Sequence, residues 1–337
     1  MAYPVAGGMT DLARESGGEI ASPRPLVSVI MPAYNAERYV LEAIRSVLDQ
    51  SYEPIEVLLV DDGSSDGTVD LVRREAPSVR IIQQENGGAA AARNTGLRYT
   101  RGELIGFLDA DDGWFPGKLA AQVDYLQRHP EVGLVFHHWL VWKPNETGVY
   151  TKQQLPSPVP GEIDPSCSGW IYPQLLLDCI VHTSTVMMRR QVFQDTGYFD
   201  QTLVNGEDYD YWLRVSRKYE IHKLTGVYSF YSEAAGSLTK TPKSENYGYR
   251  VVKGAMNQWG LSSPDGSTFI PENLARKRLG ELAFGYGYQH YRSGSLRLAT
   301  QAFIISLRHY SLNVKAIIFI LIIKFRFWIL RFCSSGH

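Results

Sequence analysis

The chain has 337 residues, of which 44% are hydrophobic and 20% charged, so its composition is that of a folded globular protein and excludes general disorder. At about 150 residues per domain, this length predicts two domains. Lys and Arg number 34 against 35 Asp and Glu, and the net charge of -1 argues against a nucleic-acid-binding protein. Cys167, Cys179 and Cys333 are widely spaced and form no C-x-x-C pair, which argues against a disulfide framework and fits the reducing cytoplasm.

The N-terminal segment differs in composition from the rest of the chain. Residues 1–25 are rich in Gly, Pro, Ala and Ser without hydrophobic periodicity, so we predict a loose leader there. Its charged residues leave no apolar run typical of a signal peptide. The remainder is predicted to divide into an α/β domain at 26–240, a helical extension at 241–311 and a basic, apolar tail at 312–337.

From Leu26 onward, short apolar runs alternate with amphipathic stretches, which favours an α/β fold with a parallel sheet covered by helices. Strands are predicted at Leu26–Met31, Ile55–Val60, Val79–Gln83, Glu103–Leu108, Val132–Trp142 and Thr183–Met188. Helices are predicted at Glu37–Gln50, Thr68–Glu75, Gly88–Tyr99, Pro116–Arg128 and Glu207–Lys218, with Asp66 as a cap of the second. A long loop is predicted from Pro144 to Gly169, and a helical hairpin at Asn273–Arg292 and Ser295–Tyr310.

Acidic residues directly follow two of the predicted strands. Asp61-Asp62 ends the second strand, and Asp109-x-Asp111-Asp112 ends the fourth. Because ligands bind at the carboxyl edge of open α/β sheets, we expect both clusters near one binding site. A hard divalent cation, held by one or two carboxylates and phosphate oxygens, is the usual way to relieve their repulsion. The alternative, strongest for Asp61-Asp62 alone, is that acidic residues simply form a turn and a helix cap.

Five segments in this order resemble the family 2 glycosyltransferases of the GT-A fold. They are VSVIMPAYNAERYVLEAIRSVLDQSY, IEVLLVDDGSSDGT, ENGGAAAARNTGL, GELIGFLDADD and GYFDQTLVNGEDYDYWLR, within about Val27–Leu238. The resemblance implies a Rossmann-like, nucleotide-sugar-binding mixed sheet flanked by helices and followed by the helical C-terminal region. It also implies metal-dependent, inverting transfer of a sugar from a nucleoside diphosphate sugar, UDP being the commoner nucleotide, to a hydroxyl of a cell-envelope glycan, polysaccharide or lipopolysaccharide.

The resemblance also assigns roles to individual residues. Those assigned to donor binding are Pro32, Ala33, Tyr34, Asp61, Asp62, Arg93, Asn94 and Asp109. Within this set, Tyr34 packs on the base or ribose, Asp62 accepts the base N–H, and Arg93 and Asn94 face the nucleotide.

Metal binding and proton transfer fall to the later segments. The resemblance implies that Asp111 is the main ligand of Mn²⁺ or Mg²⁺ and that Asp109 reaches the metal or the ribose. It also implies that Asp208 is the general base, with Glu207 beside it. This chemistry needs such groups, because the departing diphosphate gains charge and the acceptor hydroxyl must lose its proton. A role for Glu207-Asp208 as the acidic first turn of a helix is the alternative.

Some features depart from the family pattern or favour other functions. Tyr228–Thr239 contains no histidine, where many family members place one after the base helix. His137-His138 and His182 fit no usual metal-ligand spacing and are interpreted as core or surface residues. A nucleotidyltransferase would need a basic, Gly-rich loop where Pro32-Ala33-Tyr34-Asn35 stands. The alternative of a different class is a membrane-associated scaffold or nucleotide-sugar-binding protein with an inactive transferase domain.

The C-terminal end is basic and apolar. From Pro271 onward it has 10 Lys and Arg against 2 Asp and Glu, a local balance of +8. The uninterrupted apolar run Ala316–Ile323 is far shorter than the roughly 20 residues that span a bilayer. We therefore predict a helix over 312–332 that lies on an anionic membrane surface, close to a lipid-linked acceptor. Packing of this helix on the domain or on a second subunit is the alternative, and nothing in the sequence indicates the oligomeric state.

Overall fold

The computed structural model describes residues 24–142, 161–232, 241–311 and 313–334, with side chains as far as Arg326 in the last range. Apart from its last two residues, the leader predicted at 1–25 lies outside the described residues. Most of the loop predicted between Pro144 and Gly169 also lies outside them, as does the predicted domain boundary at residue 240.

Eight strands of the described chain form one mixed sheet. They are β1 (Val27–Ala33), β2 (Ile55–Asp61), β3 (Arg80–Gln83), β4 (Leu104–Phe107), β5 (Gly113–Trp114), β6 (Val132–Trp142), β7 (Met187–Arg189) and β8 (Glu220–Ser232). Their order is β3-β2-β1-β4-β7-β6-β8-β5. The first four pair in parallel, whereas β7 runs antiparallel to β4 and β6. The mixed sheet that the resemblance implies is confirmed. The wholly parallel sheet that the alternation of elements predicts is wrong, because β7 and β5 pair antiparallel with their neighbours.

Strands β1 and β2 are continuous apolar runs because both faces of the sheet are covered. Ile30 and Leu58 belong to the hydrophobic core on one face, and Val29 and Leu59 to the core on the other. Such double burial favours uninterrupted apolar sequence over alternation. The parallel strands β1, β2 and β4 all end at one edge, which brings the turns that follow them together.

The described residues form eleven α-helices. They are α1 (Val40–Leu48), α2 (Thr68–Glu75), α3 (Gly88–Tyr99), α4 (Lys118–Arg128), α5 (Tyr172–Leu177), α6 (Arg190–Thr196), α7 (Glu207–Val215), α8 (Tyr247–Trp259), α9 (Glu272–Ser293), α10 (Leu296–His309) and α11 (Val314–Ser334). The predicted helices are present with ends shifted by up to three residues. Asp66 accepts a hydrogen bond from the amide of Thr68, the first residue of α2 (3.0 Å).

Three parts of the sheet differ from the sequence prediction, one of them the two-residue strand β5, which was not predicted. The strand predicted at Thr183–Met188 is instead a 3-10 turn at Thr183–Thr185 followed by the short β7. The turn forms because both the hydroxyl and the amide of Thr185 donate to the carbonyl of His182 (2.6 and 2.9 Å). The 13-residue strand β8 was not predicted, and it pairs with β6 along nearly its whole length.

The C-terminal helices pack against the sheet domain. Val252 and Ala255 of α8 and Leu279 of α9 belong to the same hydrophobic core as Ile30 of β1. Helices α9 and α10 form the predicted hairpin around Ser293-Gly294. Among the described residues, no helix is both long enough and apolar enough to cross a bilayer.

Candidate functional site

A cleft of about 490 Å³ opens at the carboxyl ends of β1, β2 and β4. Its walls come from the turn after β1, the start of α3 and the turn after β4. The predicted site residues that line it are Pro32, Ala33, Tyr34, Asp62, Arg93, Asp109 and Asp111. The structure thus brings together residues from four separate segments of the sequence.

The turns after β1 and β2 are joined by hydrogen bonds that shape one wall of the cleft. The amide of Asn35 donates to Ser64 Oγ (2.9 Å), and the amide of Ser65 donates to Asn35 Oδ1 (2.9 Å). Asn35 has φ +50°, a left-handed conformation that Asn tolerates better than most residues. The neighbouring Tyr34 lines the cleft and is 54% exposed.

Asp62 holds the start of α3 against the end of β2. Its Oδ1 accepts hydrogen bonds from Gln84 Nε2 (2.7 Å) and the amide of Gly87 (3.0 Å), and its Oδ2 from the amide of Gly88 (2.8 Å). Gly88 has φ +84°, so a side chain at this position would strain the turn. An anion at a helix N-terminus satisfies amides that the helix leaves unpaired.

Asp61 and Asn94, which the resemblance assigns to donor binding, are not among the residues that line the cleft. Asp61 is buried and accepts hydrogen bonds from the amide of Ser64 and from Gln83 Nε2 (both 3.3 Å). The buried Asn94 amide donates to the carbonyl of Phe199 (2.9 Å) and accepts from its amide (2.8 Å). Asn94 therefore fixes the segment that leads into α7.

Ser184 organises the acidic turn after β4. Its hydroxyl accepts from the amide of Asp109 (3.2 Å) and donates to Asp112 Oδ2 (2.5 Å). The other oxygen of Asp112 accepts from the amide of Ser232 (3.2 Å). Asp112 is thus buried and bonded to the protein, whereas Asp109 and Asp111 face the cleft.

Two carboxyl groups of this turn, those of Asp111 and Asp112, have a raised pKa and hold protons more tightly than free aspartate does. Asp111 is exposed in the cleft, but the protein atoms around it displace much of the water that would hydrate its carboxylate. This burial, reinforced by the charge of Asp109, raises the pKa of Asp111 to about 6. Burial, with Asp109 and Asp111 nearby, also raises the pKa of Asp112. A bound cation would relieve this repulsion.

The acidic turn suits a cation that shares its coordination with a ligand. Among the described residues, no group of three or more His, Cys, Asp or Glu side chains is arranged to hold a metal ion by itself. Asp109 and Asp111 supply two carboxylates to the cleft. Mg²⁺ and similar hard ions are commonly held by one or two carboxylates, substrate phosphate oxygens and water. The residues present therefore fit such an ion only together with a phosphorylated ligand.

Arg93 of α3 connects this turn with the start of α7. Its Nη2 donates to Asp109 Oδ1 (2.8 Å) and its Nη1 to Glu207 Oε1 (2.7 Å). Burial lowers the pKa of Arg93, but the charges of Asp109, Glu207 and Asp208 outweigh this effect and raise it overall. The guanidinium is therefore a permanent cation between two acidic segments.

Helix α7 presents Glu207 and Asp208 in its first turn. Gly206, with φ +79°, is the residue before the helix, and only glycine adopts that conformation readily. Asp208 accepts hydrogen bonds from Thr183 Oγ1 (3.2 Å) and from the amide of Tyr209 (2.7 Å). Burial, reinforced by Asp208, raises the pKa of Glu207 despite the opposing charge of Arg93.

His182, interpreted from the sequence as a core or surface residue, lies beside this site. Its ring stacks on Trp139 and meets the edge of Tyr231, both at 5.3 Å between centroids. Its Nδ1 is buried and has no hydrogen-bond partner among the described residues. Burial lowers the pKa of His182, and the nearby charges of Asp109 and Asp208 oppose this shift. No sequence signal marks this cluster, because its rings come from three distant segments.

A sequence comparison matches residues 28–197 to a family model described as Glycosyl transferase family 2. A relative in Escherichia coli, UDP-Glc:alpha-D-GlcNAc-diphosphoundecaprenol beta-1,3-glucosyltransferase WfgD, is 33% identical over 201 residues. That alignment covers 59% of this chain and 73% of the relative.

Solved structures share the fold. S. aureus TarS 1-349 in complex with UDP-GlcNAc superposes with a TM-score of 0.59 at 18% identity, covering 84% of this chain and 81% of that one. The mannosyltransferase PcManGT from Pyrobaculum calidifontis, in complex with GDP-Man and Mn²⁺, gives a TM-score of 0.55 at 20% identity, covering 91% and 84%. These matches confirm the GT-A-type architecture expected from the sequence.

Proposed function

Since this chain belongs to glycosyl transferase family 2, we propose that it transfers a sugar from a nucleoside diphosphate sugar to a hydroxyl acceptor, with a divalent cation and with inversion at the anomeric carbon. UDP is the nucleotide we favour, because the E. coli relative is named for UDP-Glc and TarS is complexed with UDP-GlcNAc. Mn²⁺ accompanies GDP-Man in the Pyrobaculum structure, which supports Mn²⁺ or Mg²⁺ here.

The cleft provides for the nucleoside. Its volume of about 490 Å³ lies within the range of small-molecule sites. The exposed Tyr34 ring offers a flat surface for a base or ribose, beside Pro32 and Ala33. A carboxylate has about four lone-pair sites. Asp62 uses three of them for Gln84, Gly87 and Gly88, and in this proposal the fourth accepts a base N–H.

The acidic turn provides for the diphosphate. Asp109 and Asp111 would hold Mn²⁺ or Mg²⁺ together with phosphate oxygens of the donor. When bound, this ion supplies charge stabilisation for the departing diphosphate. Ser184 stabilises this turn, because its hydroxyl accepts a hydrogen bond from the backbone amide of Asp109 and donates one to the buried carboxylate of Asp112.

Asp208 is the base in this proposal because its neighbour Glu207 is already engaged in an ion pair with Arg93. Asp208 forms no ion pair among the described residues, and its two hydrogen bonds leave lone pairs for an acceptor hydroxyl. The hydroxyl transfers its proton to Asp208 while its oxygen bonds to the anomeric carbon. The bond from that carbon to the phosphate oxygen breaks, and the nucleoside diphosphate leaves.

The observation that carries this proposal is the convergence of Asp62, Asp109 and Asp111 in one cleft that Arg93 links to the base segment. The test is a thermal-shift panel of UDP, GDP, dTDP and their sugars, with and without Mn²⁺. We expect a Mn²⁺-dependent shift with one nucleotide, equivalent to about 2.7 kcal/mol at 100 times its Kd. The absence of any shift would favour the scaffold alternative.

The exposed face of helix α11 is an argument for a lipid-linked acceptor at a membrane surface. Helix α11 packs on the α9/α10 hairpin through the buried Ala316 and Ile323. The exposed apolar residues of α11 recur at helical spacing on the other side: Val314, Ile317, Ile318, Leu321, Ile322 and Phe325. Lys315, Lys324 and Arg326 are exposed beside them. We propose that this apolar, basic face rests on the anionic inner surface of the cell membrane. The E. coli relative, named for a diphosphoundecaprenol-linked acceptor, fits this arrangement.

We expect the double variant Ile318→Ser/Leu321→Ser to bind vesicles containing anionic phosphatidylglycerol about thirtyfold more weakly than the wild type. Each exposed side chain contributes about 1 kcal/mol when it enters the interface. Vesicle co-sedimentation measures the effect, and Phe269→Ser, at another exposed apolar residue, is the matched control. Unchanged vesicle binding together with loss of a dimer would identify the face as a subunit interface instead.

A further inference from the structure

Arg93 links the two acidic segments of the site more directly than any other side chain in the described residues. It projects from α3 and is 5% exposed. Its two terminal nitrogens contact carboxylates from segments that lie far apart in the sequence, Asp109 after β4 and Glu207 at the start of α7. Its Nε is buried and has no hydrogen-bond partner among the described residues.

The carboxylates of Asp109 and Glu207 share the single positive charge of the Arg93 guanidinium. A buried guanidinium is tolerated only when carboxylates compensate its charge. Glu207 is more enclosed, at 12% exposure, than Asp109, at 30%. A divalent ion at Asp109 and Asp111 would therefore bind Asp109, the more accessible of the two carboxylates that pair with Arg93.

We propose that Arg93 is a positioning residue that couples the cation site at Asp109 and Asp111 to the base segment at Glu207 and Asp208. This inference rests on the proposed function. Without the ion, Arg93 is shared between Asp109 and Glu207. When Asp109 binds the ion, its hold on Arg93 weakens and the guanidinium pairs mainly with Glu207. Because Glu207 precedes Asp208 in the first turn of α7, this pairing fixes the position of the base.

Arginine suits this role for geometric reasons. Its planar fork reaches two carboxylates at once, whereas the ammonium of lysine is a single point charge. We therefore expect Arg93→Lys to keep the charge but to lose the simultaneous contact. Asn94, the next residue on α3, forms hydrogen bonds with the backbone of Phe199 in the segment before α7. Helix α3 therefore contacts the base region twice, through Arg93 and through Asn94.

Coupling between two sites is reciprocal, which provides a test that does not depend on turnover. We would titrate the wild type, Glu207→Gln and Asp208→Asn with Mn²⁺ in the presence of the nucleoside diphosphate that the panel identifies, and measure protein-bound Mn²⁺ by equilibrium dialysis with that nucleotide on both sides of the membrane. In Glu207→Gln the guanidinium of Arg93 can form an ion pair only with Asp109. Because Asp109 must then give up this ion pair to bind the metal, we expect the Mn²⁺ Kd to rise about fivefold or more. Asp208→Asn removes one negative charge from the same turn without touching an Arg93 ion pair, and we expect its Kd to change less than twofold.

A kinetic experiment separates positioning from folding. We expect Arg93→Lys to lower kcat at least tenfold at saturating donor while the donor KM changes less than threefold. In the Glu207→Gln background the same substitution should cause little further loss, because the two residues act as one unit. Independent, multiplicative losses would overturn the coupling. A lower melting temperature of Arg93→Lys with unchanged kcat and Mn²⁺ affinity would also overturn it.

The outcomes also distinguish this inference from the function on which it rests. Equal Mn²⁺ shifts in Glu207→Gln and Asp208→Asn would overturn the coupling alone. Failure of the wild type to bind Mn²⁺ in the presence of UDP, GDP or dTDP would overturn the metal-dependent function and the coupling with it.

Discussion

We expect Asp208→Asn to reduce kcat for sugar transfer by roughly 10²- to 10⁴-fold, the range that general-base groups contribute. The asparagine amide keeps the size of the side chain and can still accept a hydrogen bond from Thr183, but it cannot take the proton of the acceptor hydroxyl. Donor affinity should change less than about twofold, because Asp208 does not line the nucleotide cleft. Release of UDP from the donor identified by the panel, and donor titration, measure the two quantities.

Asp210→Asn is the matched control for this experiment. Asp210 lies on the same helix, but its carboxylate pairs with Arg214 (2.8 Å) at a partly exposed position. Such pairs contribute little, so this variant should transfer sugar at nearly the wild-type rate. If Asp208→Asn instead loses donor binding in proportion to activity, Asp208 belongs to the nucleotide or metal site and is not the general base.

The second large effect is expected at the acidic turn. Asp111→Asn should abolish the Mn²⁺-dependent part of nucleotide binding, and with it about 2.7 kcal/mol of stabilisation at 100 times the wild-type Kd. The thermal-shift panel measures this loss, and EDTA should reproduce it in the wild type. Asp70→Asn is a matched control, since Asp70 is an exposed residue of α2. A full Mn²⁺-dependent shift in Asp111→Asn would remove this residue from the metal site.

The pH dependence of Mn²⁺ binding follows from the same residue. The pKa of Asp111 is raised to about 6, mainly by burial and then by Asp109, so its carboxyl is ionised at neutral pH and becomes protonated as the pH falls below 6. A metal ligand must be deprotonated, so the Mn²⁺ Kd should rise about tenfold for each unit well below that value. Titrations from pH 7.5 to 5 test this, and a constant Kd over that range would contradict it.

Local patterns in the sequence were sufficient for the first half of the sheet. The continuous apolar runs that become β1 and β2 are needed because both faces of those strands are buried. The acidic residues at the ends of β2 and β4 could be placed at one edge because parallel strands end together. By contrast, β8 was missed. Its partly exposed residues are interspersed with buried ones, and its pairing with β6 is a tertiary contact.

The α/β class, the order of the main elements and the acidic residues that end β2 and β4 could be read from the sequence, because hydrophobic period and turn chemistry are local properties. Which side chains meet depends on the folded chain. It placed Arg93 between Asp109 and Glu207, turned Asn94 to the backbone of Phe199, and brought His182 beside Trp139 and Tyr231. The physical reason is that these contacts join segments distant in the chain, and their geometry is set by packing that no local pattern records.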